Sequence, residues 1–70
     1  MNDISTYLIE VRGRLEEEDV NTMSPLKLSV EWVGQEATLL TVRTDQSGLI
    51  GLMRHLHGLG FVFLSMKREL

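Results

Sequence analysis

The chain contains no cysteine, and this absence removes two of the usual supports of a small domain. Disulfides and thiolate metal sites are both excluded. A chain of 70 residues is expected to form one domain over residues 1–70 and to bury only about 60% of its unfolded surface. Association with another subunit is therefore a serious candidate source of stability. The missing cysteines also fit a reducing cytoplasm, which is the location we expect.

Other absences narrow the class of protein further. The first residues, MNDISTYL, do not contain a basic segment followed by an apolar one, so no signal peptide is expected. No apolar run is long enough to cross a bilayer, and we expect no membrane partner. The net charge of −3 provides no overall attraction to nucleic acid or anionic lipid.

Strict alternation of apolar and polar residues predicts four strands. The segments are TYLIEVRGRL at 6–15, LKLSVEW at 26–32, ATLLTVRT at 37–44 and FVFLSMKR at 61–68. In the last strand the pattern assigns Val62, Leu64 and Met66 to the core, opposite to Phe61 and Phe63.

The middle two strands are close enough in sequence to form a hairpin, and their apolar residues must share one face. Pairing Val30 with Leu40 achieves this, and it places Trp32 on the core side as well. The register requires an odd number of loop residues, most simply the three residues at 34–36.

Two helices are predicted between the strands. The acidic segment at 16–25 favours a short helix that ends before Ser24-Pro25, although a solvated loop is the alternative. Asp45 is a candidate N-cap for a second helix from about Gln46 to Leu59. That helix carries an apolar stripe of Leu49, Leu52, Met53 and Leu56.

The resulting order of elements predicts an α+β fold, a ferredoxin-like sandwich of the form βαββαβ with a short or absent first helix. Both helices would cover one face of a four-stranded antiparallel sheet and leave the other face open. Without the first helix, the fold would be a βββαβ sheet with one covering helix.

The open face is the first candidate functional surface. Its predicted apolar patch comprises Leu8, Leu39, Phe61 and Phe63. The cations around the patch comprise Arg12, Arg14, Lys27, Arg43 and Lys67. Only Glu10 and Glu31 oppose these five cations, which gives the predicted face a charge of +3. The patch is interpreted as a dimer interface with charges at its rim, and Arg12, Arg14, Lys27 and Arg43 are candidate anion contacts.

Single-stranded nucleic acid is an alternative partner for such a face, because RNA-recognition domains stack bases on sheet aromatics. Those domains place their aromatics on central strands, whereas both phenylalanines here fall on the last strand. The Gly-aromatic signature of those domains is also absent, so nucleic acid is not the expected partner.

No group of residues assembles into a predicted catalytic, cofactor or metal site. His55 and His57 lie about 160° apart on a helix and cannot share one metal ion within a single chain. A stripe of Gly48, Gly51, His55 and Gly58 also lies on this helix. Close packing inside the protein is expected to offset the helix cost of Gly51, with an outside partner as the alternative.

Residues 44–68, TDQSGLIGLMRHLHGLGFVFLSMKR, resemble the C-terminal signature of a family of small uncharacterised bacterial proteins. The resemblance implies a small bacterial cytoplasmic protein and no activity. More weakly, the turn formed by Asp45, Gln46, Ser47 and Gly48 resembles the D-x-P-G-L-L turn of ACT regulatory domains. That resemblance implies a small-effector site at the turn, although Ser47 replaces the usual proline and the ACT turn normally follows the first strand.

These observations favour a non-enzymatic interaction or regulatory module without a cofactor, acting as a homodimer or with an unknown protein partner. The alternatives are an ACT-like binder of a small effector and a single-stranded nucleic-acid binder that uses the open face.

Overall fold

The computed structural model describes residues 3–69, which form one four-stranded sheet and two helices. The elements are β1 (Ser5–Arg12), α1 (Glu17–Met23), β2 (Ser29–Val33), β3 (Ala37–Thr44), α2 (Gln46–Gly58) and β4 (Phe63–Arg68). The strand order is β2-β3-β1-β4, and all neighbouring strands are antiparallel. This order confirms the predicted α+β fold of the ferredoxin-like type, and the presence of α1 excludes the βββαβ alternative.

The core lies between one face of the sheet and the helices. Alternate residues of β1 and β3 and three leucines of α2 supply most of it, namely Tyr7, Ile9, Val11, Leu40, Val42, Leu49, Leu52 and Leu56. Leu28 and Val20 complete the cluster, and Val20 is the buried residue of α1. The apolar stripe predicted for α2 is therefore confirmed as its core-facing side.

A buried threonine holds the connection between β1 and α1 in place. Thr38 is fully buried, its Oγ1 donates to the Gly13 carbonyl over 2.7 Å, and it accepts from the Leu15 N–H over 2.9 Å. Gly13 has a φ of 98°, a conformation that L side chains rarely adopt. The turn after β1 is thus fixed by one hydroxyl from β3.

The hairpin of β2 and β3 confirms the predicted pairing of Val30 with Leu40. The register does not arise from the predicted three-residue loop at 34–36. Near the loop Val33 pairs with Thr38, and the Gly34 N–H donates to the Ala37 carbonyl over 2.8 Å, so the turn is tighter than expected. The extra residue is instead a bulge within β2, between Val30 and Trp32.

This bulge reverses the predicted orientation of the end of β2. Trp32 lies opposite Leu39, on the open face, and is 56% exposed. The prediction that Trp32 faces the core is therefore wrong, because a one-residue shift in register moves every later side chain to the other face.

A second bulge corrects the predicted orientation of β4. Val11 pairs with Phe63 and Glu10 with Ser65, so Leu64 is the additional residue. Phe63 consequently lies on the helix-facing side, and both Phe61 and Phe63 pack half-buried against the core. Their predicted placement on the open face is wrong.

The predicted inward set of β4 is exposed for two reasons, the bulge at Leu64 and the edge position of the strand. Val62, Leu64 and Met66 are 44%, 44% and 42% exposed. Met66 does pair with core residue Ile9, but β4 is an edge strand and its helix-facing side is only partly covered.

Candidate protein-binding surfaces

The face of the sheet away from the helices, called the open face below, is built from alternate residues of all four strands. The central strands supply Thr6, Leu8, Glu10, Arg12, Ala37, Leu39, Thr41 and Arg43, and the edge strands supply Ser29, Glu31, Trp32, Ser65 and Lys67. Leu8 and Leu39 confirm their predicted place on this face, whereas Phe61 and Phe63 are absent from it.

Trp32 is the aromatic residue of the open face. Its indole ring lies over Gly34, where any Cβ atom would collide with the ring. Glycine at this position therefore allows the ring to lie against the backbone beside Leu39. Leu8 is on the neighbouring strand β1 and is half-buried, so it extends an apolar patch from the β2 edge towards the middle of the sheet.

The charge of the open face is lower than the sequence suggested. The face carries three cations, on β1, β3 and β4, and two acids. The carboxylates of the acids accept hydrogen bonds from neighbouring hydroxyl groups. Glu10 Oε1 accepts from Ser65 Oγ over 3.1 Å, and Glu31 Oε2 accepts from Thr41 Oγ1 over 3.2 Å. Both signs are therefore present in nearly equal number on one surface.

Two of the predicted anion contacts do not lie on this face. Arg14 follows the end of β1, and its Nη1 donates to the Gly34 carbonyl over 3.2 Å. Lys27 precedes β2 and is exposed. Arg12 and Arg43 do occupy the open face, on β1 and β3, and both are exposed.

The two edges of the sheet differ sharply in the state of their backbone groups. Just before β2 and at its start, side chains of α1 form hydrogen bonds with backbone groups that point away from β3. The Asn21 amide accepts from the Leu28 N–H over 2.7 Å and donates to the Leu28 carbonyl over 2.8 Å. Glu17 Oε1 accepts from the Val30 N–H over 2.8 Å. The protein's own helix thereby closes the first part of the β2 edge, up to Val30.

The β4 edge has no such cover among residues 3–69. The Glu69 N–H donates to the Thr6 carbonyl over 2.8 Å, so the backbone groups of Glu69 point towards β1. Because backbone groups alternate in direction along an antiparallel pair, those of Met66 and Arg68 point away from β1. No strand or described side chain pairs with them on that side.

A groove runs beside this edge, between the second half of α2 and β4. One part, of about 250 Å³, is lined by Met53, Arg54, His57 and Phe63. An adjoining part, of about 380 Å³, is lined by His57, Gly60, Phe61, Val62 and Phe63. The two phenylalanines predicted for the open face thus form the floor of a different surface.

The turn predicted as an effector site has a structural role. Asp45 Oδ1 accepts from the Gly48 N–H over 2.7 Å, which confirms Asp45 as the N-cap of α2. A Cβ atom on Gly48 would collide with Thr44 Oγ1, so the space inside the turn is already filled. Gln46 and Ser47 are exposed, and an effector at this turn stays a prediction.

The two histidines lie in separate environments. His55 Nε2 is 2.8 Å from the Met23 carbonyl oxygen and links α2 to the end of α1. His57 lines the groove beside β4. No cluster of three or more metal-ligating side chains occurs within residues 3–69.

A comparison with protein-family models matches residues 6–67, from the start of β1 almost to the end of β4. The chain belongs to this family, a domain of unknown function (DUF8691). The open face and the groove lie within the matched region, whereas Arg68 of the β4 edge lies one residue beyond it. No curated protein and no solved structure matches the chain. Neither helix of the described chain has the length and hydrophobicity that crossing a membrane requires.

Proposed function

We propose that this member of the family is a non-enzymatic interaction module that forms a homodimer through its open face. The observation that carries the proposal is Trp32, a large aromatic side chain that is 56% exposed on a face that no helix of residues 3–69 covers. Tryptophan is among the residues that most often dominate binding energy at protein interfaces. Leu39 and Leu8 beside it supply the adjoining apolar surface.

The charges of the open face favour a second copy of the chain as the partner. A surface that carries both signs can pair with itself about a two-fold axis, with cations of one copy near acids of the other. A nucleic acid would instead require a clear excess of cations, and the three cations here face two acids.

The size of the face is at the lower limit for a specific dimer. Strands of 8, 5, 8 and 6 residues, at about 3.3 Å per residue and about 4.8 Å apart, cover roughly 430 Å² in projection. Specific interfaces of the smaller class bury about 600 Å² from each partner. The small core of a 70-residue chain gives such an association an additional stabilising role through mass action.

The single tryptophan of the chain makes the test direct. Equilibrium sedimentation from about 1 to about 200 μM should show a monomer–dimer equilibrium, and dilution should shift the Trp32 emission to longer wavelength as the indole becomes wet. Trp32→Lys should remove the dimer. Ile50→Lys, at an exposed position on α2, is the matched control and should leave it intact.

Two results would contradict the proposal. One is a monomer over the whole concentration range with an unchanged Trp32 emission. The other is a dimer that survives Trp32→Lys. A monomer that binds single-stranded oligonucleotides with a steep salt dependence would favour base stacking on Trp32 instead.

A further inference from the structure

We propose that the open edge of β4 and the groove beside it form a second docking site, for an extended acidic segment of a partner protein that adds to the sheet as a fifth strand. Of its residues, the site shares only Lys67 with the open face, and the proposal does not depend on dimer formation.

The backbone of β4 offers the hydrogen bonds that such an addition needs. The Arg12 N–H donates to the Val62 carbonyl over 2.9 Å, and the Glu69 N–H bonds to Thr6, so β4 is anchored to β1 at both ends. The outward groups of Met66 and Arg68 remain for a new neighbour. Main-chain bonds of this kind supply affinity when a peptide extends an exposed sheet edge.

The groove offers places for alternate side chains of the added strand. Residues of a strand point alternately to the two faces of a sheet, so every second side chain of a fifth strand would lie on the helix side. There it would meet Met53, His57 and Phe63 in the shallow part of the groove, which measures about 250 Å³. Met66, which is 42% exposed on the same side, would be covered by the same side chains.

Charge selects an acidic segment over other occupants. Arg54 lines the groove, and Lys67 and Arg68 lie on β4, with Glu69 the nearby acid at the end of the strand. The asymmetry extends to the whole chain. Residues 1–36 contain eight acids and three cations, whereas residues 37–70 contain four cations and two acids. Pairing β4 with β4 of a second copy would bring these cations together, which is unfavourable.

Two features restrict the edge to a selected partner. The bulge at Leu64 interrupts β4, and Lys67 adds a charge to the strand. Bulges and charged side chains both commonly protect exposed strand edges from unwanted pairing. An acidic segment removes the second obstacle, because it neutralises the cation that repels other strands.

Selection from a displayed library of random decapeptides against the intact protein tests the proposal. We expect the enriched sequences to carry apolar residues at every second position with Asp or Glu between them. Enrichment of basic sequences, of sequences with a helical period, or of none at all would overturn the proposal.

Variants of β4 then test the mode of binding of a selected peptide. Met66→Pro removes an outward N–H without touching the bonds to β1 and should weaken the peptide's Kd about tenfold, whereas Met66→Ala keeps that N–H and should cost about threefold or less. The amide proton of Met66 should become protected from exchange when peptide is bound. Equal losses for both variants, with no protection, would contradict strand addition.

Charge variants complete the experiment. Arg68→Glu should weaken binding of the acidic peptide, whereas Lys27→Glu makes the same change in net charge at an exposed residue outside the sheet and should not. Trp32→Lys should leave peptide binding unchanged even if it abolishes dimers. If Trp32→Lys alone removes peptide binding, the peptide binds the open face and the site proposed at β4 is wrong.

Discussion

The two βαβ halves of this protein use their helices in opposite ways. In the first half, α1 has seven residues, buries only Val20 and uses the side chains of Glu17 and Asn21 to close the β2 edge. In the second half, α2 has 13 residues and buries three leucines in the core, and the edge of β4 beside it stays open. The same plan thus gives one helix that seals an edge and one that fills the core.

The difference shows what a small domain can achieve with few residues. A helix that directs apolar side chains inward contributes hydrophobic stability. The polar side chains of α2 nearest the β4 edge, Arg54 and His57, line the groove beside it without a described bond to its backbone. A helix that directs Asn and Glu at an edge satisfies backbone groups and blocks unwanted pairing, but contributes little to the core. In this protein α2 fills the core, and the edge of β4 stays open within residues 3–69.

The largest expected effect tests α2 as the core-filling helix. Leu56 is 1% exposed, and Leu56→Ala should lower the free energy of unfolding by about 2–5 kcal/mol in urea denaturation. Ile50→Ala, at a position of α2 that is 48% exposed, should change it by about 0.5 kcal/mol or less. Similar losses for the two variants would show that α2 does not pack as described.

The next effect tests α1 as the edge-sealing helix. Asn21→Ala leaves the N–H and the carbonyl of fully buried Leu28 without their partner, and should cost about 1–3 kcal/mol. The exposed β2 edge should also make the variant more prone to aggregate. Thr22→Ala is the control, because its hydroxyl bonds only within α1, to the Glu18 carbonyl. If Asn21→Ala behaves like the control, the seal is not important for stability.

Capping gives a third, smaller contrast between the helices. Asp45 accepts from the Gly48 N–H, whereas Glu16, at the N-cap of α1, makes no side-chain capping bond. Asp45→Ala should cost about 0.5–2 kcal/mol in thermal or urea unfolding, and Glu16→Ala much less. If Asp45→Ala left stability unchanged but removed binding of a small effector, the turn would have the role that its resemblance to ACT domains implies.

Patterns that depend on local sequence predicted most of the fold. Alternation located all four strands, the acidic run located α1, and Asp45 with the leucine stripe located α2 almost to the residue. These features are local because helix caps and apolar periods act within a few residues of each other. The fold class followed from the order of elements.

The surfaces were predicted less well because two bulges decide them. A bulge at Glu31 moves Trp32 to the open face, and a bulge at Leu64 moves Phe63 to the helix side. Each inserts a single residue whose place depends on the pairing of two strands, and no period within one strand reveals it. Gly34, which provides space for the indole, was the one local sign that Trp32 could lie against the turn.

The smallest expected effect separates two glycines of α2. Packing inside the protein was expected to explain Gly51, but this residue is exposed and a Cβ atom there would meet nothing within 4 Å. Gly51→Ala should therefore stabilise the protein by about 0.5–1 kcal/mol, since alanine restricts the unfolded chain and favours the helix. Gly48→Ala should destabilise it, because the new methyl group would collide with Thr44 Oγ1. Thermal unfolding of the two variants gives the comparison, and a loss of stability in Gly51→Ala would mean that a partner, such as a second copy of the chain, packs against this side of α2.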